Sequence, residues 1–94
     1  LYLALPSASG KGWDYQPMKL VSNNLWYVRV KLDGKANQRF RFDIGGNGLK
    51  NEVLGDSDKN GVVEKGGAPI IKSGKGYHLI KLNDKIMKYS VVAQ

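Results

Sequence analysis

Short apolar runs, some alternating with polar residues at a period of two, punctuate this chain, and no stretch shows a convincing 3.6-residue period of an amphipathic helix. Eight segments have strand character: 1–5 (LYLAL), 18–21 (MKLV), 25–32 (LWYVRVKL), 38–44 (QRFRFDI), 49–54 (LKNEVL), 69–72 (PIIK), 76–83 (GYHLIKLN) and 86–92 (IMKYSVV). Between them lie SASGKG, SNN, DGKAN, GGNG, GDSDKNG, KGG and NDK, clusters rich in glycine and in Asn or Asp that end extended structure. Short strands at this spacing predict an all-β chain, an Ig-like antiparallel β-sandwich of about eight short strands. The 94 residues have room for one domain, spanning 1–94.

The best-defined predicted unit is a hairpin. Trp26, Val28, Val30 and Leu32 share one face of segment 25–32, and Phe40, Phe42 and Ile44 share one face of segment 38–44. Pairing the two across the loop Asp33–Asn37 sets Val30 beside Phe40 and Val28 beside Phe42, because a one-residue slip would turn charges into the core. The same register sets Lys31 opposite Arg39 and Arg29 opposite Arg41 on the outer face, with Tyr27 opposite Asp43. Like charges directly opposed are destabilising, so this stripe reads either as a surface awaiting an anion or as long side chains splayed into water beside neutralising carboxylates of another strand.

Charge sharpens that reading. Fifteen Lys and Arg against eight Asp and Glu leave a formal charge of +7. Such a surplus favours nucleic acid, an anionic membrane surface or an acidic polysaccharide as partner, and otherwise serves solubility. The absence of Cys excludes disulfides and thiolate chemistry, and a single His excludes a histidine metal cluster. No apolar run reaches the roughly 18 residues of a membrane span. The chain opens on Leu1, inside an apolar run and without a starting Met, which suggests a module excised from a larger protein.

The pieces LYL, Gly12-Trp13, Pro17-Met18, Leu25-Trp26 and Arg39-Phe40-Arg41-Phe42-Asp43 come in an order that continues through Gly55-Asp56, Asn60-Gly61 and Gly67-Ala68-Pro69-Ile70. Gly76-Tyr77-His78-Leu79, Asn83-Asp84 and Tyr89-Ser90-Val91 complete it. Taken together the chain resembles the starch-binding, early-set type of carbohydrate-binding module of bacterial polysaccharide-degrading proteins. The resemblance implies an Ig-type sandwich, secreted or at the bacterial cell surface, appended to a catalytic domain. It also implies that Trp13 stacks on a sugar and that Arg41 stands where the family carries a glycan-binding Lys. The second stacking Trp of the family has no counterpart in Gly45–Leu49, and the Ser7–Lys11 loop departs from the usual N-G-W form. A guanidinium in place of an ammonium suits carboxylate or sulfate better than neutral hydroxyls.

Other residues are weighed on their local pattern. Trp13 and Tyr15 fall in what reads as a glycine-rich loop, where an aromatic platform would be exposed to a pyranose ring. Trp26 belongs with the core residues Val28 and Val30, Tyr27 shares the basic face, and Tyr77 and Tyr89 read as packing residues. His78 reads as a surface or edge residue. Asp56, Asp58 and Asn60 alternate as in a calcium loop, with Gly61 sixth and Glu64 ninth, but the twelfth position is Gly67 instead of a bidentate Glu. Ca²⁺ is thus a candidate structural ion, and an Asx-rich turn is the competing reading. Catalysis is disfavoured, since no carboxylate pair sits in an apolar setting that would raise one pKa.

The expectation is therefore a non-catalytic polysaccharide-binding module. Its ligand would be anionic or algal, of the agar, carrageenan, porphyran or alginate type. The candidate contacts are Trp13, Tyr15, Tyr27, Arg29, Lys31, Arg39 and Arg41. Starch or another α-glucan is the alternative ligand. A structural spacer, or a domain for single-stranded nucleic acid using basic strands and aromatics, is the alternative class.

Overall fold

A computed structural model describes residues 1–7, 12–33, 38–71 and 74–94. The described residues are all-β apart from one 3₁₀ turn at Lys50–Glu52. Its strands are β1 (Tyr2–Pro6), β2 (Trp13–Pro17), β3 (Lys19–Ser22), β4 (Leu25–Asp33), β5 (Arg39–Asp43), β6 (Val53–Gly55), β7 (Glu64–Lys65), β8 (Ile70–Ile71), β9 (Lys75–Asn83) and β10 (Lys88–Ala93). They form two antiparallel sheets. Sheet I runs β2-β1-β5-β6-β7, with β8 also on β5, and sheet II runs β10-β9-β4-β3. Among the described residues no helix is long and apolar enough to cross a membrane.

The expected two-sheet sandwich is present, but its strands are paired differently from the predicted hairpin. β4 is held between β9 and β3 in sheet II, while β5 is held between β1 and β6 in sheet I. The longest ladder is β4 with β9, nine pairs from Leu25↔Asn83 to Asp33↔Lys75. The predicted faces held for Val30, Leu32, Phe40 and Phe42, all buried in one core, but not for Ile44, which lies past the end of β5 and is exposed. They meet across the sandwich, face to face, instead of side by side in one sheet. Alternation tells which face of a strand is apolar and is silent on its neighbour. Residues 34–37 of the predicted hairpin loop, residues 8–11 of the first loop, and residue 72 of segment 69–72 lie outside the described residues.

The core is filled from both layers. Leu3, Phe40, Phe42 and Leu54 come from sheet I, and Val30, Leu32, Ile80 and Leu82 from sheet II. Phe40 and Phe42 meet edge-on at 5.9 Å, and Phe42 lies 6.1 Å from the Tyr89 ring. Trp26 packs against this cluster as expected, and its Nε1–H donates to Asp84 Oδ2 at 3.0 Å. His78 is buried, which corrects the surface placement. It alternates with Ile80 and Leu82 on the inner face of β9, opposite Val30, and its Nδ1 lies 3.0 Å from the Gly76 carbonyl. Tyr77, on the outer face of the same strand, is 43% exposed and is not a core residue.

Candidate binding face

Antiparallel partners point to the same side of a sheet, so the registers fix what lies on each outer face. In sheet I, Ala4 pairs with Tyr15 on one side and Arg41 on the other, and Pro6 pairs with Trp13. Trp13, Tyr15, Arg39 and Arg41 therefore share the surface opposite to the buried Leu3, Phe40 and Phe42. Trp13 and Tyr15 lie in β2, not in a loop as their glycine neighbours suggested. The rigid strand holds the two aromatic rings two residues apart along one edge of the sheet.

Side-chain contacts join these residues into a cluster. The Arg41 guanidinium carbon lies 4.1 Å from the centre of the Trp13 ring, and that of Arg39 lies at 5.9 Å. Each such contact is worth about 0.5–2 kcal/mol, depending on how far water is excluded. Among the described residues, Arg41 Nε is buried without a hydrogen-bond partner. An orphan donor of this kind costs about 1–3 kcal/mol, which the stacking only partly offsets. Indole and guanidinium thus form one composite platform: an apolar face for packing beside planar N–H donors for an anion.

Asp43 builds the far end of this face. Its buried carboxylate accepts N–H bonds from Gly45 (3.1 Å) and Gly46 (2.8 Å) on Oδ1, and from Gly48 (2.8 Å) on Oδ2. These bonds curl the 44–48 segment over the sheet against two tyrosines. A Cβ on Gly46, whose φ is +68°, would fall 2.7 Å from the Tyr2 ring. One on Gly48, at φ +75°, would fall 3.1 Å from the Tyr15 hydroxyl. Tyr2 pairs with both Pro17 and Asp43, and so it belongs to the same face. It was missed as a site residue because LYLAL is apolar at every position and so does not show which of its faces is the core.

Tyr27, Arg29 and Lys31 lie elsewhere. They are on the outer face of sheet II, across the core from Trp13 and Arg41, so the single four-cation stripe does not exist. Lys31 pairs with Tyr77, Arg29 with Leu79, and Tyr27 with Lys19 and Lys81. No two cations are directly opposed in these pairs. Lys19 and Lys81 flank Tyr27 about 10 Å apart, two strand spacings. At that distance their repulsion in water is about 0.4 kcal/mol. Arg29 is already engaged: its guanidinium lies 4.0 Å over the Tyr77 ring, and its Nε donates to Gln94 Oε1 at 2.9 Å.

The 56–64 segment is closed by its own hydrogen bonds. Asp56 Oδ1 accepts from the Asn60 N–H (3.2 Å), and Oδ2 accepts from the Gly61 N–H (2.9 Å) and the Tyr89 hydroxyl (2.7 Å). Asn60 Oδ1 accepts from the Val62 N–H, and Glu64 Oε1 from the Ser57 N–H. Burial pushes the Asp56 pKa up, but the bonds from Tyr89, Gly61, Asn60 and Lys59 outweigh it and hold the carboxyl below its ordinary value. Burial, then the Asp56 carboxylate, raises the Tyr89 hydroxyl. Asp56, Asp58 and Glu64 do not form a cluster, and among the described residues no three His, Asp or Glu side chains gather where a metal could be held. The hydrogen bonds are those of an Asx-rich turn.

Compared with known proteins, the chain matches no family model, no curated protein and no solved structure.

Proposed function

We propose that this chain is a non-catalytic module that binds a carboxylated or sulfated polysaccharide on the outer face of sheet I. The observation that carries the reading is the stack of Arg41 on Trp13 at 4.1 Å, with Arg39 beside it at 5.9 Å. Aromatic rings take up the C–H face of a sugar, and planar guanidinium donors take a carboxylate or sulfate in two parallel bonds. Tyr15 continues the platform from Trp13 along the strand direction, which suits a polymer better than a single sugar. An anion on the outer nitrogens of Arg41 would also compensate the charge that its orphan Nε leaves poorly solvated. The resemblance to early-set carbohydrate modules points to a secreted or cell-surface bacterial protein in which this module serves an appended catalytic domain.

Electrophoresis of the domain through gels containing carrageenan, porphyran, alginate, agarose or soluble starch tests the proposal. Retardation by an anionic polymer, weakened by salt and reduced about tenfold or more in affinity by Arg41→Ala, is the expected result. Salt-insensitive retardation by starch that Trp13→Ala abolishes would favour a neutral α-glucan instead. No retardation by any polymer would leave a structural spacer.

A further inference from the structure

The two sheets differ in charge. The strands of sheet I carry Arg39, Arg41 and Lys65 against Asp14, Asp43 and Glu64, and so are balanced. The strands of sheet II carry Lys19, Arg29, Lys31, Lys75, Lys81 and Lys88 against the single acid Asp33. Their registers place all six cations on the outer face: Lys19 and Lys81 beside Tyr27, Arg29 beside Leu79, Lys31 beside Tyr77, Lys75 beside Asp33, and Lys88 beside Asn83. The surplus charge of the chain is thus concentrated on the sheet that faces away from the Trp13 platform.

We propose that the outer face of sheet II is a second polyanion-binding surface, specific for the charge of an acidic polysaccharide strand, so that one molecule bridges two strands. The bridging rests on the sheet I reading above; the lysine surface does not. Anionic polysaccharide is favoured over nucleic acid because charge outweighs stacking surface on this face. Its six cations stand beside one exposed ring, Tyr77, which the Arg29 guanidinium already flanks at 4.0 Å, while Tyr27 is half-buried between two lysine-bearing strands. What remains available is a field of flexible ammonium groups, which neutralises regularly spaced charges and reads no sequence.

The test uses dextran sulfate, with neutral dextran and single-stranded DNA as comparators. Affinity and turbidity are measured over a range of salt for the wild type and two variants: Lys19→Gln/Lys31→Gln/Lys81→Gln on sheet II, and Trp13→Ala/Arg41→Ala on sheet I. Circular dichroism checks that each variant is folded, and a Lys→Arg triple at the same three lysines should behave as wild type. The expected result is that the sheet II variant lowers the slope of log affinity against log salt by about three, one for each lysine. Wild type should give turbidity that rises and then redissolves at protein excess, and either variant should abolish that maximum. An unchanged salt slope in the folded sheet II variant would overturn the surface. Tighter binding of single-stranded DNA than of dextran sulfate would overturn its assignment. If the sheet I variant keeps both affinity and the turbidity maximum, the platform reading and the bridging fail together, while the lysine surface stands on its own slope.

Discussion

Arg41 is the residue at which the sequence and the structure say most about each other. Its alternation with Phe40 and Phe42 placed it outside the core, and the fold then set it on Trp13, 28 positions away in sequence, through a strand the sequence had not revealed. Trp13→Ala should leave the core intact and lower stability by about 1–4 kcal/mol, the worth of its two guanidinium contacts, as read from urea unfolding. Tyr89→Phe acts elsewhere, removing the hydroxyl bonded to the buried Asp56, and should destabilise by about 1.5–3 kcal/mol. Because the Asp56 pKa is lowered in the folded state, its contribution is complete above the ordinary carboxyl range. It is lost as pH falls through the lower folded value. Tyr89→Phe removes the strongest of the lowering bonds, so the variant should show a shallower loss of stability on acidification below about pH 4 than wild type. An equal acid slope in the two proteins would contradict that assignment. His78 and Tyr77 were placed on the wrong sides because neither residue type declares its face. Only the register of β9, with Ile80 and Leu82 inward, settles it.

At the scale of elements, the 44–48 segment makes the clearest prediction. Gly46→Ala would strain a left-handed backbone position and press a methyl group into the Tyr2 ring. A loss of about 1–3 kcal/mol is expected, with a matching disturbance of the Tyr2 and Tyr15 signals. The same change at Gly61, where a Cβ meets no atom within 4 Å, should show the backbone strain without that disturbance. Strand positions were readable from alternation wherever a strand buries one face, as in β4, β5 and β9. β2 was not readable: Trp13, Asp14, Tyr15, Gln16 and Pro17 lie in a sheet edge whose residues are all half-buried or exposed, so no apolar period marks it. The two-residue strand β7 is too short to carry a period of any kind, whereas β8 falls within the predicted segment 69–72. The hairpin error has a plain origin. Two amphipathic strands joined by a short loop fit equally well as neighbours in one sheet or as facing strands of two.

For the whole molecule, total charge was legible and its distribution was not. A surplus of +7 pointed to an anionic partner, but only the assignment of strands to sheets shows that the basic strands and the aromatic platform are back to back. The candidate contacts consequently divide into Trp13, Tyr15, Arg39 and Arg41 on one face and Tyr27, Arg29 and Lys31 on the other. Stability of the isolated domain should rise on adding an anionic polymer and fall back as salt is raised, since binding to the folded state alone shifts unfolding. Binding on the sheet I face is tested most directly by an NMR titration of the labelled domain with a short sulfated oligosaccharide. The Trp13 indole N–H and the Arg41 Nε–H should shift together and saturate with the amides of β2 and β5. Shifts that leave both side chains unmoved while the oligosaccharide binds elsewhere would contradict it.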